Sequence, residues 1–187
     1  MPTPCYPWAE VEPVRDASVR NLCVRPYPGH PGGCPNYGKR PSCPPRAPML
    51  KRLIRLSDPV YVVWNQFDLG THCEVMRQKH PDWTERQVRC CLYWQPKARK
   101  ELRVSIAAMH SQMPWLLTVM CPEACGVDIT ATMARVGIEI EWPPVKWAYQ
   151  VALAGTPHHG RGQLVYAQPQ LFPGSREHEG HEERTGR

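Results

Sequence analysis

Twelve of the first 48 residues are proline, at positions 2, 4, 7, 13, 26, 28, 31, 35, 41, 44, 45 and 48. Proline fixes φ near about −65° and has no N–H to donate, so this stretch holds neither a long helix nor an interior strand. It reads as loop, and a loop of such length in a compact domain is either functional or poorly anchored. The same stretch holds Cys5, Cys23, Cys34 and Cys43. A metal cross-link through such thiols would supply the cohesion that a hydrophobic core cannot give to a proline-rich segment.

The rest of the chain has the material for a core. Of its 187 residues 42% are hydrophobic and only 21% charged, which excludes wholesale disorder and fits one compact domain. The net charge of +6 is modest beside that of dedicated nucleic-acid binders. The longest apolar run, Trp115 to Cys121, is far shorter than the roughly 20 residues that cross a bilayer, and Met1 to Trp8 lacks a basic-then-apolar leader. The expectation is a cytoplasmic protein with no membrane partner. Nine cysteines in a reducing compartment point to metal ligation, catalysis or burial rather than to a disulfide framework.

From Met49 onward the periodicities are those of a folded domain. Val60 to Trp64 predicts a buried strand, and Leu69 to Lys79 a short helix ended by His80-Pro81. Asp82 with Glu85 resembles a capping box, with Thr84 as the alternative cap, at the head of a longer helix. Val88, Cys91, Leu92, Ala98, Leu102, Ile106 and Met109 share an arc of about 120° on that helix, opposite Arg86, Arg89, Lys97 and Lys100. Pro96 predicts a kink near Trp94 or a division into two helices. Trp115 to Met120 predicts a second strand, Cys121 to Ala124 the first turn of a helix ending near Gly137, Ile138 to Trp142 a half-buried strand, and Ala148 to Ala154 a fourth. The predicted fold class is α/β: a mixed β-sheet of about four strands flanked by helices, with a Pro/Cys-rich N-terminal loop. Residues 1–20 are expected to form a mobile arm, 21–170 a single metal-binding domain, and 171–187 a disordered charged tail.

Cys23, Cys34 and Cys43 are separated by ten and eight residues, and glycines at 29, 32, 33 and 38 permit the sharp turns that would let three thiols converge. Proline directly follows Cys34, Cys43 and Cys121, as it follows the last cysteine of ferredoxin signatures. Paired zinc ligands normally sit two to four residues apart, so this spacing ranks an iron–sulfur cluster, most simply a 4Fe-4S cluster, above zinc. Cys121, where a strand meets a helix, is the expected fourth ligand, with Cys125 one turn later as the alternative. Three ligands would leave one iron open to a substrate; a fourth would favour electron transfer or structure. The alternative is that all are reduced, partly buried thiols. Cys73, Cys90 and Cys91 lie in predicted helices, Cys91 on the apolar face.

Cys34-Pro35-Asn36-Tyr37-Gly38-Lys39 leading to Cys43-Pro44-Pro45, with Cys121-Pro122-Glu123-Ala124 before Gly126-Val127-Asp128, Thr132 and Gly137, resembles an uncharacterised family of predicted metal-binding proteins built on a domain of unknown function. The resemblance covers roughly Cys23 to Gly155 and implies cysteine-bound metal. In the family pattern the first two cysteines stand closer together, so Arg25 to Gly33 resembles an insertion; the pattern favours Cys121 over Cys125 as ligand.

Other residues carry weaker signals. Asp68, His72 and His80 could serve acid–base work, or merely belong to a surface helix. His158-His159 lies in a predicted turn, and His178 and His181 in the tail. The basic helix face with Tyr93 and Trp94 could contact phosphate and stack a base, or be a solvated face. The phosphate-loop, serine-elbow and His-Glu-x-x-His patterns do not occur. The leading expectation is an iron–sulfur cluster held by Cys23, Cys34, Cys43 and Cys121 in redox or sulfur-handling chemistry with a redox partner protein. The alternatives are a structural zinc module whose basic helix binds nucleic acid or a protein, and a metal-free interaction protein.

Overall fold

A computed structural model of the chain describes residues 7–26 and 31–158. Cys5, residues 159–162, His178, His181 and the tail expected over 171–187 lie outside the described residues. The fold is α/β, with four strands in the order β1-β2-β4-β3: β1 is Trp8–Glu10, β2 Val60–Asp68, β3 Leu117–Val119 and β4 Trp147–Gly155. Every pairing is antiparallel, so the strand directions are not mixed. The sheet is built around β2 and β4, which pair along their whole length from Val60↔Gly155 to Asp68↔Trp147.

Alternation along these two strands divides the core. Val62 pairs with Leu153, and both sides of that rung face a cluster with Leu50, Ile54, Val127 and Met133. Val63 pairs with Ala152 on the opposite face, where Leu102, Ile106 and Met109 pack. These last three come from helix α3, Cys91–Gln112. Ala152 and Ala154 are small, which lets the helix lie close to the strands. A third cluster joins Phe67 and Ala148 to Leu69 and Cys73 of α1 (Leu69–Lys79), Val88 of α2 (Glu85–Val88) and Trp94. Each fully buried Val or Leu in these clusters contributes about 1.5–3 kcal/mol.

The helix expected over Leu69–Lys79 forms with those bounds, and Asp68 is its cap: Oδ1 accepts from Thr71 N at 2.9 Å. Asp68 therefore has a structural task in place of the acid–base one weighed for it. The following helix is divided, but ahead of Pro96: α2 ends at Val88, Cys90 caps α3, and Pro96 lies inside α3. Thr84, not Asp82, heads α2, in a capping box with Gln87. The break resets the helical phase, so Cys91 and Leu92 face solvent instead of the core, Leu92 at 77% exposure.

Two further expectations are corrected. Residues 8–10 of the arm predicted to be free form an edge strand, because Trp8 to Glu10 finds the open edge of β2, and Val11 enters the core. Ile138 to Trp142 is not a strand. Its alternation does place Ile138 and Ile140 against the core, but no strand pairs with it. Helix α4, Ile129–Ala134, ends short of Gly137, which takes the left-handed φ of 76° that turns the chain. Among the described residues no helix is long and apolar enough to cross a membrane.

Candidate thiol centre

Two segments far apart in sequence are brought together by the N-terminal arm. Arm residues 12–16 run alongside residues 126–135: Asp128 N donates to Val14 O at 2.8 Å, and Asp16 N to Gly126 O at 2.9 Å. Thr132, fully buried, accepts from Val14 N at 3.0 Å and donates from its hydroxyl to Asp128 O at 2.6 Å. Asp16 then caps a 3-10 helix, Ala17–Val24, which carries Cys23. That helix packs against a second 3-10 turn, Pro122–Cys125, for which Cys121 is the N-cap.

The proline-rich loop is folded onto this pair. Cys34 N donates to Cys23 O at 2.7 Å, and the turns that follow are closed by Tyr37 N to Cys34 O, Gly38 N to Pro44 O and Cys43 N to Arg40 O. Gly33 makes the first contact possible: its φ is 79°, and a Cβ there would stand 2.6 Å from Cys23 O. Arg20, on the helix that carries Cys23, fastens the far end. Its guanidinium donates to Pro45 O at 3.0 Å and Ala47 O at 2.9 Å and lies 3.1 Å from Met49 Sδ.

The outcome is a neighbourhood of thiols drawn from three parts of the chain. Burial raises the Cys23 pKa, and charges on Cys34, Cys43 and Glu123 raise it further. Cys121 is pushed up to about 11, first by loss of hydration and then by Glu123 and Cys43, while Arg99 and Arg40 pull it down. Cys121 is nonetheless exposed by area. The two facts agree because its accessible surface opens into a cleft of about 690 Å³ that it lines together with Cys43 and Glu123. Cys125 is buried in the core cluster and pushed up to about 12, chiefly by that burial and then by Cys121. Of the two cysteines on this turn, Cys121 is the one that shares a cavity with Cys43.

All eight cysteines within the described residues are free thiols. Among those residues no group of three or more His, Cys, Asp or Glu side chains is arranged to hold a metal ion. Cys23 is influenced by Cys34 and Cys43, and Cys121 by Cys43, but the four predicted ligands do not form a closed tetrahedron, whose sulfurs at a Zn–S length near 2.3 Å would stand about 3.8 Å apart. The donor chemistry suits a soft metal: thiols, mutually repelling once ionised, which a cation would stabilise together.

The remaining sequence candidates are dispersed. Cys73 is buried among Phe67 and Leu69, and Cys90 caps α3. His72 lies against Phe67, with ring centroids 5.8 Å apart, and burial lowers its pKa. His80 stacks on Trp83 at 3.9 Å, which stacks in turn on Tyr93. His158 donates its backbone N–H to Leu53 O. The basic face is not uniform: Arg89 donates to Pro144 O, Lys97 sits 5.9 Å from the Phe67 ring centroid, and Arg86 and Lys100 are exposed. The sequence reading missed Arg20 and the cleft arginines Arg40, Arg99 and Arg103; Thr132 entered only as part of the family motif, Arg89 only on the basic helix face, and the left-handed Gly33 only as one of four glycines in the loop. No family model, curated protein or solved structure matches the chain.

Proposed function

We infer that the chain is a metalloprotein whose Cys23, Cys34, Cys43 and Cys121 thiolates hold an iron–sulfur cluster, 4Fe-4S in the simplest case, for redox or sulfur-handling chemistry. The supporting observation is that the fold seats the proline-rich loop on the helix that carries Cys23 and packs that helix against the turn headed by Cys121, so that Cys43 acts electrostatically on both Cys23 and Cys121. The cluster would supply a reversible one-electron centre and a cross-link between the loop and the sheet. The chain's own part is to set the four sulfurs, to leave Cys23 and Cys34 half-buried, and to leave Cys121 and Cys43 open to a cleft. Cys125 is assigned to the core. The expected setting is cytoplasmic, where thiols stay reduced, with a redox protein as electron partner.

Anaerobic purification tests the reading. A brown protein with a broad visible band, and iron and acid-labile sulfide in near-equal amounts, is the expected result. Colourless protein with stoichiometric zinc would replace the cluster with the structural zinc module, and its nucleic-acid binding would then weaken steeply with salt. Protein with neither metal would leave the metal-free interaction reading.

A further inference from the structure

The cleft beside Cys121 has a composition that thiol ligation does not require. It runs along the part of β4 that β3 leaves uncovered, since β3 reaches only Leu153, Ala154 and Gly155. Four arginines line it: Arg40 from the loop, Arg89 from the α2–α3 junction, and Arg99 and Arg103 one turn apart on α3. Its carboxylates are Glu123 and Glu141, and Glu141 is already engaged, accepting from Val145 N at 3.0 Å. None of the four arginines makes an ion pair among the described residues. Arg89 is held by a backbone carbonyl and Arg99 by the Gln95 side chain, both neutral acceptors.

Four guanidinium groups around one concavity repel each other, and a bound acid relieves that repulsion while accepting paired hydrogen bonds from their planar forks. Aromatic side chains share the remaining wall with aliphatic ones: Trp94, Trp142, Trp147 and Tyr149. Trp142 is 74% exposed, a large apolar surface left to solvent at the cleft. A volume of about 690 Å³ is that of a small-molecule site. We propose that this cleft binds a small organic anion, a carboxylate or phosphate monoester carrying a flat ring, with the acid group held by Arg40, Arg99 and Arg103 and the ring against Trp142 and Trp147. Arg40, Arg99 and Arg103 line the same cleft as Cys121, so the bound acid shares a cavity with that sulfur. The inference concerns the arginines and aromatics, and stands whether or not the thiolates hold a metal.

Titration calorimetry on the full chain, as purified, tests it with phenyl phosphate as probe. Saturable one-site binding is expected, tighter than that of inorganic phosphate and at least tenfold tighter than that of neutral benzyl alcohol. Benzoate in a parallel arm separates a carboxylate site from a phosphate site, and binding of either acid supports the proposal. Arg99→Gln and Arg103→Gln should each weaken binding about tenfold or more, with unchanged circular dichroism because both side chains are exposed. Arg86→Gln, outside the cleft, should leave affinity unchanged. Absence of binding by both acids, equal binding of benzyl alcohol, or undiminished binding by the two cleft variants would overturn the assignment.

Discussion

Replacing Gly33 with alanine measures how tightly the proline-rich loop is pressed onto the helix that carries Cys23. The residue has φ +79°, and a Cβ would meet Cys23 O at 2.6 Å and Val24 C and Cα at 2.9 Å. These are backbone atoms, which cannot rotate aside. The left-handed conformation costs an alanine about 1–2 kcal/mol, and loss of the Cys34 N to Cys23 O hydrogen bond removes about 1 kcal/mol more. The sum, about 2–3 kcal/mol, corresponds to a fall in Tm of about 4–12 °C for a chain of this size. Two neighbours calibrate it. Gly38 also has a left-handed φ, +70°, but nothing within 4 Å, so Gly38→Ala should show the strain alone. Gly32 has neither, and Gly32→Ala should be neutral or stabilising by up to about 1 kcal/mol. Thermal and urea denaturation followed by circular dichroism give the ranking. If Gly33→Ala is no more destabilising than Gly38→Ala, the loop is not seated against Cys23 and the argument for a common thiol site loses its geometry.

Thr132→Val keeps the shape but leaves Val14 N without its acceptor, which should cost about 1–3 kcal/mol and quicken proteolysis of the N-terminal arm; an unchanged cleavage rate would show that the arm is held otherwise. Arg20→Gln removes the charged donor to Pro45 O and Ala47 O, and the loss of about 1.5–3 kcal/mol should appear in urea midpoints together with faster alkylation of Cys23 and Cys43. Burial lowers the pKa of His72 and His110 below the ordinary 6.5, the Met113 backbone opposing it at His110. The unfolded chain then takes up protons first as pH falls, so stability present above about pH 6.5 should be lost as pH drops through the folded values. His72→Phe with His110→Gln should flatten that slope in urea titrations, and an undiminished slope would assign it to other groups. Cys43→Ser should lower the metal content of purified protein and Cys125→Ser should not, as read by elemental analysis; equal retention by the two would remove Cys43 from the ligand set.

The elements legible in the sequence were those with strong local signals. Leu69–Lys79 announces its own stop, and Val60–Trp64 its β-branched run, which the structure extends to Asp68 because β4 pairs along its whole length. Trp8–Glu10 could not be read, since three residues become a strand only when another edge is offered. Ile138–Trp142 failed for the converse reason: its alternation reports one apolar face, not a hydrogen-bonding partner. At the candidate site, the proline-rich loop and the Cys-Pro pairs were visible as motifs. The contacts that seat them were not. Thr132 and Val14 are 118 residues apart, and Arg20 reaches carbonyls 25 and 27 residues away, so no local pattern marks either. The cleft arginines come from three segments of the chain, and only the fold gives them a common wall.

The proposed shared thiol centre is tested most directly by X-ray absorption at the metal edge of anaerobically purified protein. The account predicts a first shell made wholly of sulfur with a metal–metal distance beyond it, both lost in a variant lacking Cys23, Cys34, Cys43 and Cys121. A shell of nitrogen or oxygen, or the same spectrum from that variant, would contradict it.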